Sequence, residues 1–315
     1  MLCGERTASV GSMATSLTFV ESDVQEEFFA RGWTDGLPIV PPTPERINAM
    51  LIAGGVDADK VVGMVPERSR MISAEKAAIN AVMAGCEPKH FPVVLAAIDA
   101  MCDPDFGCNT VLTSTGGAAL CVVISGPDLA GLGFNSNRNA LGPGYRANAT
   151  VGRAMRLIAM NILGARSDYL DGSSLGHPGK YTMLIAEEVP PKEWDPLRVE
   201  LGFNEDATTV TLLATEGPHQ ISNQLNGTAE GILSSLASAM TNPTTYGVGK
   251  GHQVLLVLGY EHRRILIEQG WTKQAIREHL VEASRVPPSY LESAGIVMEH
   301  TTQNDMTPDA DGKLA

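Results

Sequence analysis

Cys86, His177, Glu187, His219 and His262 are the side chains whose chemistry could run a reaction near neutral pH. A cysteine thiolate is a nucleophile or redox group, and an imidazole beside a carboxylate moves protons. Cys86 falls between the end of one expected helix and the start of the next. Glu87 and the carbonyl end of the first helix would raise its pKa, whereas Lys89, His90 and the following N-terminus would lower it. The sequence leaves that sign open, and a small residue packed in a helix corner is the competing reading. Glu187, His219 and His262 each follow a strand-like run, at 181–186, 208–214 and 254–258. Strands that share a sheet and exit at one edge would bring these groups together, with His177 and Glu187 as an acid–base pair.

Binding groups are expected elsewhere. The stretch 131–164 sets a polar, glycine-broken loop before a helix whose apolar residues Val151, Ala154, Met155, Ile158, Ala159 and Ile162 recur at helical spacing. Gly142, Pro143 and Gly144 forbid helix, and Asn148 or Thr150 could cap a start near Asn148. Free N–H groups there, with Arg146 and Arg153 nearby, would attract an anion. Trp33, Thr34 and Asp35 form a polar turn beside apolar structure, and Lys180 closes the long loop 167–180, so both join the expected substrate-binding set.

These residues need elements to position them. A helix over 21–31 buries Val24 and Phe28, Gly32 to Gly36 breaks it, and the proline-rich run 37–44 is extended. Thr43 then caps a helix that has Pro44 at its first position. Residues 61–65 read as a strand, Ser73 and Glu75 open a helix, and Gly85 ends it. Residues 109–113 and 119–125 read as a strand pair, with Cys121 in the core. Cys102 and Cys108 lack the spacing of a zinc site. Beyond the loop, 254–258 reads as a buried strand, and helices follow at 231–240, 263–269 and 272–283.

The run Gly32-Trp33-Thr34-Asp35-Gly36-Leu37-Pro38-Ile39-Val40-Pro41-Pro42-Thr43 resembles the signature of an uncharacterised bacterial family. Segments similar to that family's also occur at 78–86, at Ala147-Asn148-Ala149-Thr150-Val151-Gly152-Arg153 and at Gly176-His177-Pro178-Gly179-Lys180. The resemblance spans most of the chain. Members are associated with proteins of the UGSC type, whose reactive cysteine or selenocysteine implies thiol or redox chemistry and a redox partner. It implies no fold and no cofactor.

Alternating strands and helices argue for an α/β fold with mixed sheets and helices packed on them, arranged as two related α/β halves. The expected division is a flexible leader 1–17, halves at 18–166 and 167–295, and a flexible tail 296–315. The 315 residues carry 36 acidic against 23 basic side chains, a net charge of −13, which disfavours nucleic acid and anionic lipid as partners. No signal peptide or long apolar run is evident, and the five cysteines are odd in number, so a cytoplasmic, reduced protein and a homo-oligomer are expected. The composite expectation is an enzyme for a small anionic or polar substrate, with an anion-binding helix start and a Cys/His cleft running thiol-dependent redox, lyase or hydrolase chemistry. A metal-dependent hydratase, hydrolase or lyase, and a non-catalytic partner of a thiol-redox protein, are the alternatives.

Overall fold

The computed structural model describes residues 7–12, 15–20, 24–167, 169–225, 227–241, 253–293, 295 and 310–311. They form an α/β fold whose residues cluster into two compact units. Unit 1 comprises Met1–Val189 and Asp195–Pro218, and unit 2 comprises Pro190–Trp194 and His219–Ala315. The sequence had placed its division at 166/167; loop 167–180 instead lies wholly inside unit 1.

Unit 1 opens with an antiparallel hairpin, β1 (Thr7–Ser12) and β2 (Thr15–Val20), where a loose leader was expected. Helix α1 (Val24–Ala30) buries Val24 and Phe28. The proline run follows, and α2 (Pro44–Gly54) starts as its sequence dictates, with Thr43 accepting the Arg46 N–H and Pro44 at the first helical position. Strands β3 (Val61–Val65) and β4 (Arg70–Ser73) pair antiparallel across a 3-10 turn, Pro66–Arg68. Ser73 caps α3 (Ala74–Ala84), which ends at Gly85 with φ of 96°. That left-handed conformation favours glycine.

Helix α4 (Phe91–Cys102) is followed by α5 (Cys108–Thr113), where the sequence suggested a strand. The β-branched Thr110, Val111 and Thr113 carry strand propensity, but Cys108 and Leu112, four apart, are buried on one helical face, and packing overrides propensity. Next comes β5 (Ala119–Ser125), buried along its whole length. Helix α6 (Arg146–Asn161) returns the chain to β6 (Leu184–Ala186), which runs parallel to β5. After α7 (Leu197–Glu200), β7 (Thr209–Thr215) pairs antiparallel with the other edge of β5. The sheet order is therefore β6-β5-β7. The main core joins α1 to α6 with the inner residues of this sheet, Val122, Ile124, Leu184 and Leu212 among them.

The regular elements described in unit 2 are helices: α8 (Ala229–Met240), α9 (Tyr260–Glu268), α10 (Lys273–Ala283) and α11 (Pro288–Ser293). Among the described residues, the sheet of order β6-β5-β7 belongs to unit 1. The core of unit 2 gathers Trp194, Ile232, Leu233, Leu266, Ile276 and Leu280. The stretch 254–258 is irregular rather than a buried strand. Leu256 and Leu258 pack on this core while Val254 and Val257 are 51% and 52% exposed. The expected burial along the whole run is absent, and no ladder forms among the described residues. The expected tail falls almost entirely outside the described residues. No helix among them is long and apolar enough to cross a membrane.

Candidate functional site

Helix α6 is the post to which the polar segments of unit 1 are tied. Arg153 grips Asp35 side-on, Nε to Oδ2 and Nη2 to Oδ1, both at 2.8 Å, and Nη2 also reaches the Leu37 carbonyl at 3.2 Å. The Asp35 side chain is 3% exposed and that of Arg153 13%. Burial alone would raise the Asp35 carboxyl, but the hydrogen bond and charge of Arg153 outweigh it and hold the pKa below 3.8. Thr34 Oγ1 donates to the Leu37 carbonyl, so this turn is closed on itself. About two turns further along, Asn161 donates to the Trp33 carbonyl at 2.9 Å and to Asn80 Oδ1 at 2.7 Å. Trp33 meets Phe28 edge to face at 5.2 Å.

The start of α6 differs from expectation. It lies at Arg146 behind Tyr145, which makes no side-chain cap. Asn148 is buried inside the first turn and acts on the loop before it, accepting the Asn135 N–H at 2.8 Å and donating to the Asn135 carbonyl at 2.9 Å. Thr150 Oγ1 donates back to the Arg146 carbonyl at 2.8 Å. Arg146 Nε donates to the Gly85 carbonyl at 2.8 Å. Cys86, 5% exposed, sits beside this contact. Burial pushes its thiol up to about 12; a hydrogen bond with Thr150 and the charge of Arg146 pull the other way and do not compensate. The sign left open by the sequence is a raised pKa, which disfavours a thiolate at neutral pH.

On another side of α6, Gly152 lets the chain before β6 approach closely. A Cβ there would lie 2.6 Å from Thr182 Oγ1 and 2.8 Å from the Met183 nitrogen. Beside it is a polar cluster built from loop 167–180. Lys180 Nζ binds both Asp171 oxygens, at 2.9 and 2.7 Å, and contacts Ser173 Oγ. Arg156 Nη2 reaches Asp171 Oδ2 at 2.7 Å. Asp171 is 4% exposed, Arg156 and Lys180 each 14%. Burial would raise the Asp171 carboxyl, but hydrogen bonds from Lys180, Ser173 and Arg156 hold it well below the usual carboxylate range. Arg156, Gly179 and Lys180 line a cleft at the start of β5 with room for about one water molecule.

His177 stands beside the cluster. Its Nδ1 accepts the Gly179 N–H at 3.2 Å and its Nε2 faces the Thr215 carbonyl at 3.1 Å, which fixes the proton on Nε2. Both ring nitrogens serve to hold the loop on the end of β7. Glu187 lies at the other end of the sheet. It accepts the Leu197 N–H at 2.9 and 3.0 Å and the Ser125 hydroxyl, while Ser125 also receives buried Arg198 at 3.2 Å. β7 runs opposite to β6, so Thr215 pairs with Ala119 at the start of β5 and Glu187 follows its end. Six residue steps of strand, roughly 20 Å, separate the expected acid–base pair. His219 and His262 belong to unit 2. His219 is exposed, and half-buried His262 faces the Asn223 carbonyl at 2.7 Å from α9.

The structure therefore gathers Trp33, Thr34, Asp35, Cys86, Asn148, Thr150 and Arg153 along α6 and places Lys180 and His177 across Gly152 from them. It does not join Glu187 to that group. Arg156, Asp171 and Ser173 complete the cluster and were not singled out as site residues. The sequence hints at them through the long polar loop 167–180, which holds Asp171 and Ser173, and through Arg156, which follows Arg153 by three residues in the helix. Among the described residues no three of His, Cys, Asp and Glu converge as metal ligands. No family model, curated protein or solved structure matches the chain.

Proposed function

We propose that unit 1 is an enzyme for a small anionic or polar molecule, whose anionic group is held at the Arg156–Asp171–Ser173–Lys180 cluster. One observation carries this reading. Two cations face one carboxylate where all three are largely removed from water, so one positive charge is left over beside an open cleft. A partly buried surplus charge is costly unless something neutralises it, and a substrate oxygen matches the one-water size of the cleft.

The cluster suits electrostatic work better than proton abstraction. Asp171 has a depressed pKa and is a weak base, and it holds Lys180 in a short ion pair. Lys180 and Arg156 can stabilise negative charge that develops on a substrate oxygen, as in an enolate or a tetrahedral intermediate. Ser173 is oriented between Asp171 and Lys180. His177 positions the loop through its bonds to Gly179 and Thr215. Lyase or hydrolase chemistry fits this arrangement. The raised Cys86 pKa lends no support to a thiol nucleophile.

The test is ligand-observed NMR of the whole protein against a panel of small carboxylates, esters and phosphates, following both binding and loss of substrate signals. Lys180→Met removes charge-assisted hydrogen bonds of about 1.5–3 kcal/mol each and should weaken binding by at least about tenfold. Unchanged binding in both Lys180→Met and Arg156→Met, with the fold intact, refutes the assignment.

A further inference from the structure

Between the β3–β4 turn, α5 and the loop after α6 lies a separate cavity of about 270 Å³, with Arg68, Arg70, Glu67, Asn109, Thr113 and Tyr169 in its wall. That volume is many times the room one water needs, enough for a small organic acid. Arg68 donates through Nη1 to the Leu163 carbonyl at 3.3 Å. Its other two nitrogens, Nε and Nη2, are buried and have no hydrogen-bond partner among the described residues. Such orphaned donors are uncommon in native structures and call for an acceptor.

The identity of the unused edge tells what that acceptor is. Nε and Nη2 form the side-on fork of a guanidinium, two parallel N–H groups matched to the two oxygens of a carboxylate. The same chain shows the fork in use, since Arg153 holds Asp35 through these same two atoms. Arg68 ends the 3-10 turn, and the next residue, Ser69, is left-handed with φ of 49°. A non-glycine residue there strains the backbone, and it is this turn that sets Arg68 and Arg70 into one wall.

We propose that this cavity binds a small carboxylate, clasped side-on by Arg68. Arg70 adds a second positive charge and Glu67 subtracts one, leaving a surplus of one that suits a monoanionic carboxylate better than a dianionic phosphate. Glu67 also offers an acceptor to a hydroxyl or amino group on the same ligand. The Arg68 nitrogens lie in the wall out of reach of water, so binding requires the guanidinium to turn into the cavity. Their lack of any partner favours that turn once a carboxylate is there.

Isothermal titration calorimetry with lactate, a monoanionic carboxylate, tests this in full-length protein carrying Lys180→Met, which removes one cation from the cluster at the other side of loop 167–180. Saturable binding is expected, lost at least tenfold in Arg68→Met and less in Arg68→Lys, which keeps charge without the fork. Inorganic phosphate is expected to bind more weakly than lactate. Without ligand, Arg68→Met should also melt at a higher temperature than its parent, because it removes orphaned donors; a purely structural Arg68 predicts a lower one. Absent lactate binding, binding indifferent to Arg68→Met, or an Arg68-dependent preference for phosphate overturns the proposal. The outcome is independent of the Lys180 cluster, whose own test compares the unmodified protein with Lys180→Met and Arg156→Met and leaves Arg68 in place.

Discussion

Asp35 and Arg153, both in the expected substrate-binding set, form a buried ion pair with one another. Each was expected to meet substrate, yet each is the other's partner, and the bond ties residues far apart in the chain. Removing one member of a buried pair strands the other, at about 3–5 kcal/mol. Asp35→Ala should therefore lower the denaturant midpoint far more than Asp35→Ala with Arg153→Met, and equal losses would count against the pair. The depressed carboxyl of Asp35 contributes stability that is complete above 3.8 and lost as pH falls through its lower native value. His90 works in the opposite sense from a histidine with a salt-bridge partner. Its ring is fully buried, with Nδ1 accepting the Glu87 N–H at 3.2 Å and Nε2 donating to the Leu132 carbonyl at 2.9 Å. Burial holds its pKa below 6.5 despite the Leu132 carbonyl and Glu87, which favour the charged ring. In that window the unfolded chain binds the extra proton and the native one does not, so stability falls as pH drops below 6.5. Denaturation at about pH 7 and about pH 5 should show this loss in the native sequence and a smaller loss in His90→Gln. None of these partnerships was legible in the sequence, because a charged side chain carries no mark of what it will face.

Elements were more legible than sites. Thr43, Ser73 and Gly85 announce helix ends through local hydrogen bonding and backbone freedom, and the structure uses all three so. Local signals were weaker where packing decides. Residues 109–113 carry strand-forming side chains but bury a helical face, and 254–258 is apolar yet partly exposed and joins no ladder among the described residues. The start of α6 was misplaced by two residues, since Asn148 looked like a cap but is spent on Asn135. Gly152 gives the sharpest test at this scale. Alanine in place of glycine within a helix ordinarily gains about 1 kcal/mol. Here its Cβ would lie 2.8 Å from the Met183 backbone nitrogen, which cannot swing aside. Overpacking costs about 1–3 kcal/mol, so Gly152→Ala should be net destabilising in thermal or denaturant melts. A stabilised variant would mean that α6 and the chain before β6 are looser than described.

At the scale of the whole molecule, composition foretold an ordinary acidic globular chain with mixed α/β structure, and that much holds. The division into units was not readable, because unit 1 is interrupted in sequence: Pro190–Trp194 belongs to unit 2, and the chain then returns to unit 1 for Asp195–Pro218. Trp194 marks the excursion, buried in the second core with Nε1 donating to the Trp271 carbonyl at 2.9 Å. No change in composition signals such a detour. Its consequence concerns time rather than shape. The central strand β5 is synthesised well before its antiparallel neighbour β7, which pairs with it along all seven residues from Ala119 to Ser125. During translation an apolar strand must wait with one edge unsatisfied while the chain that will cover it is still being made. Pairing over such sequence separation also slows folding, since loop closure precedes any reward. Ribosome-bound chains released at increasing lengths should gain protease resistance in unit 1 only once Thr215 has left the exit tunnel. Until then, β5 is the segment on which a chaperone for this protein would act.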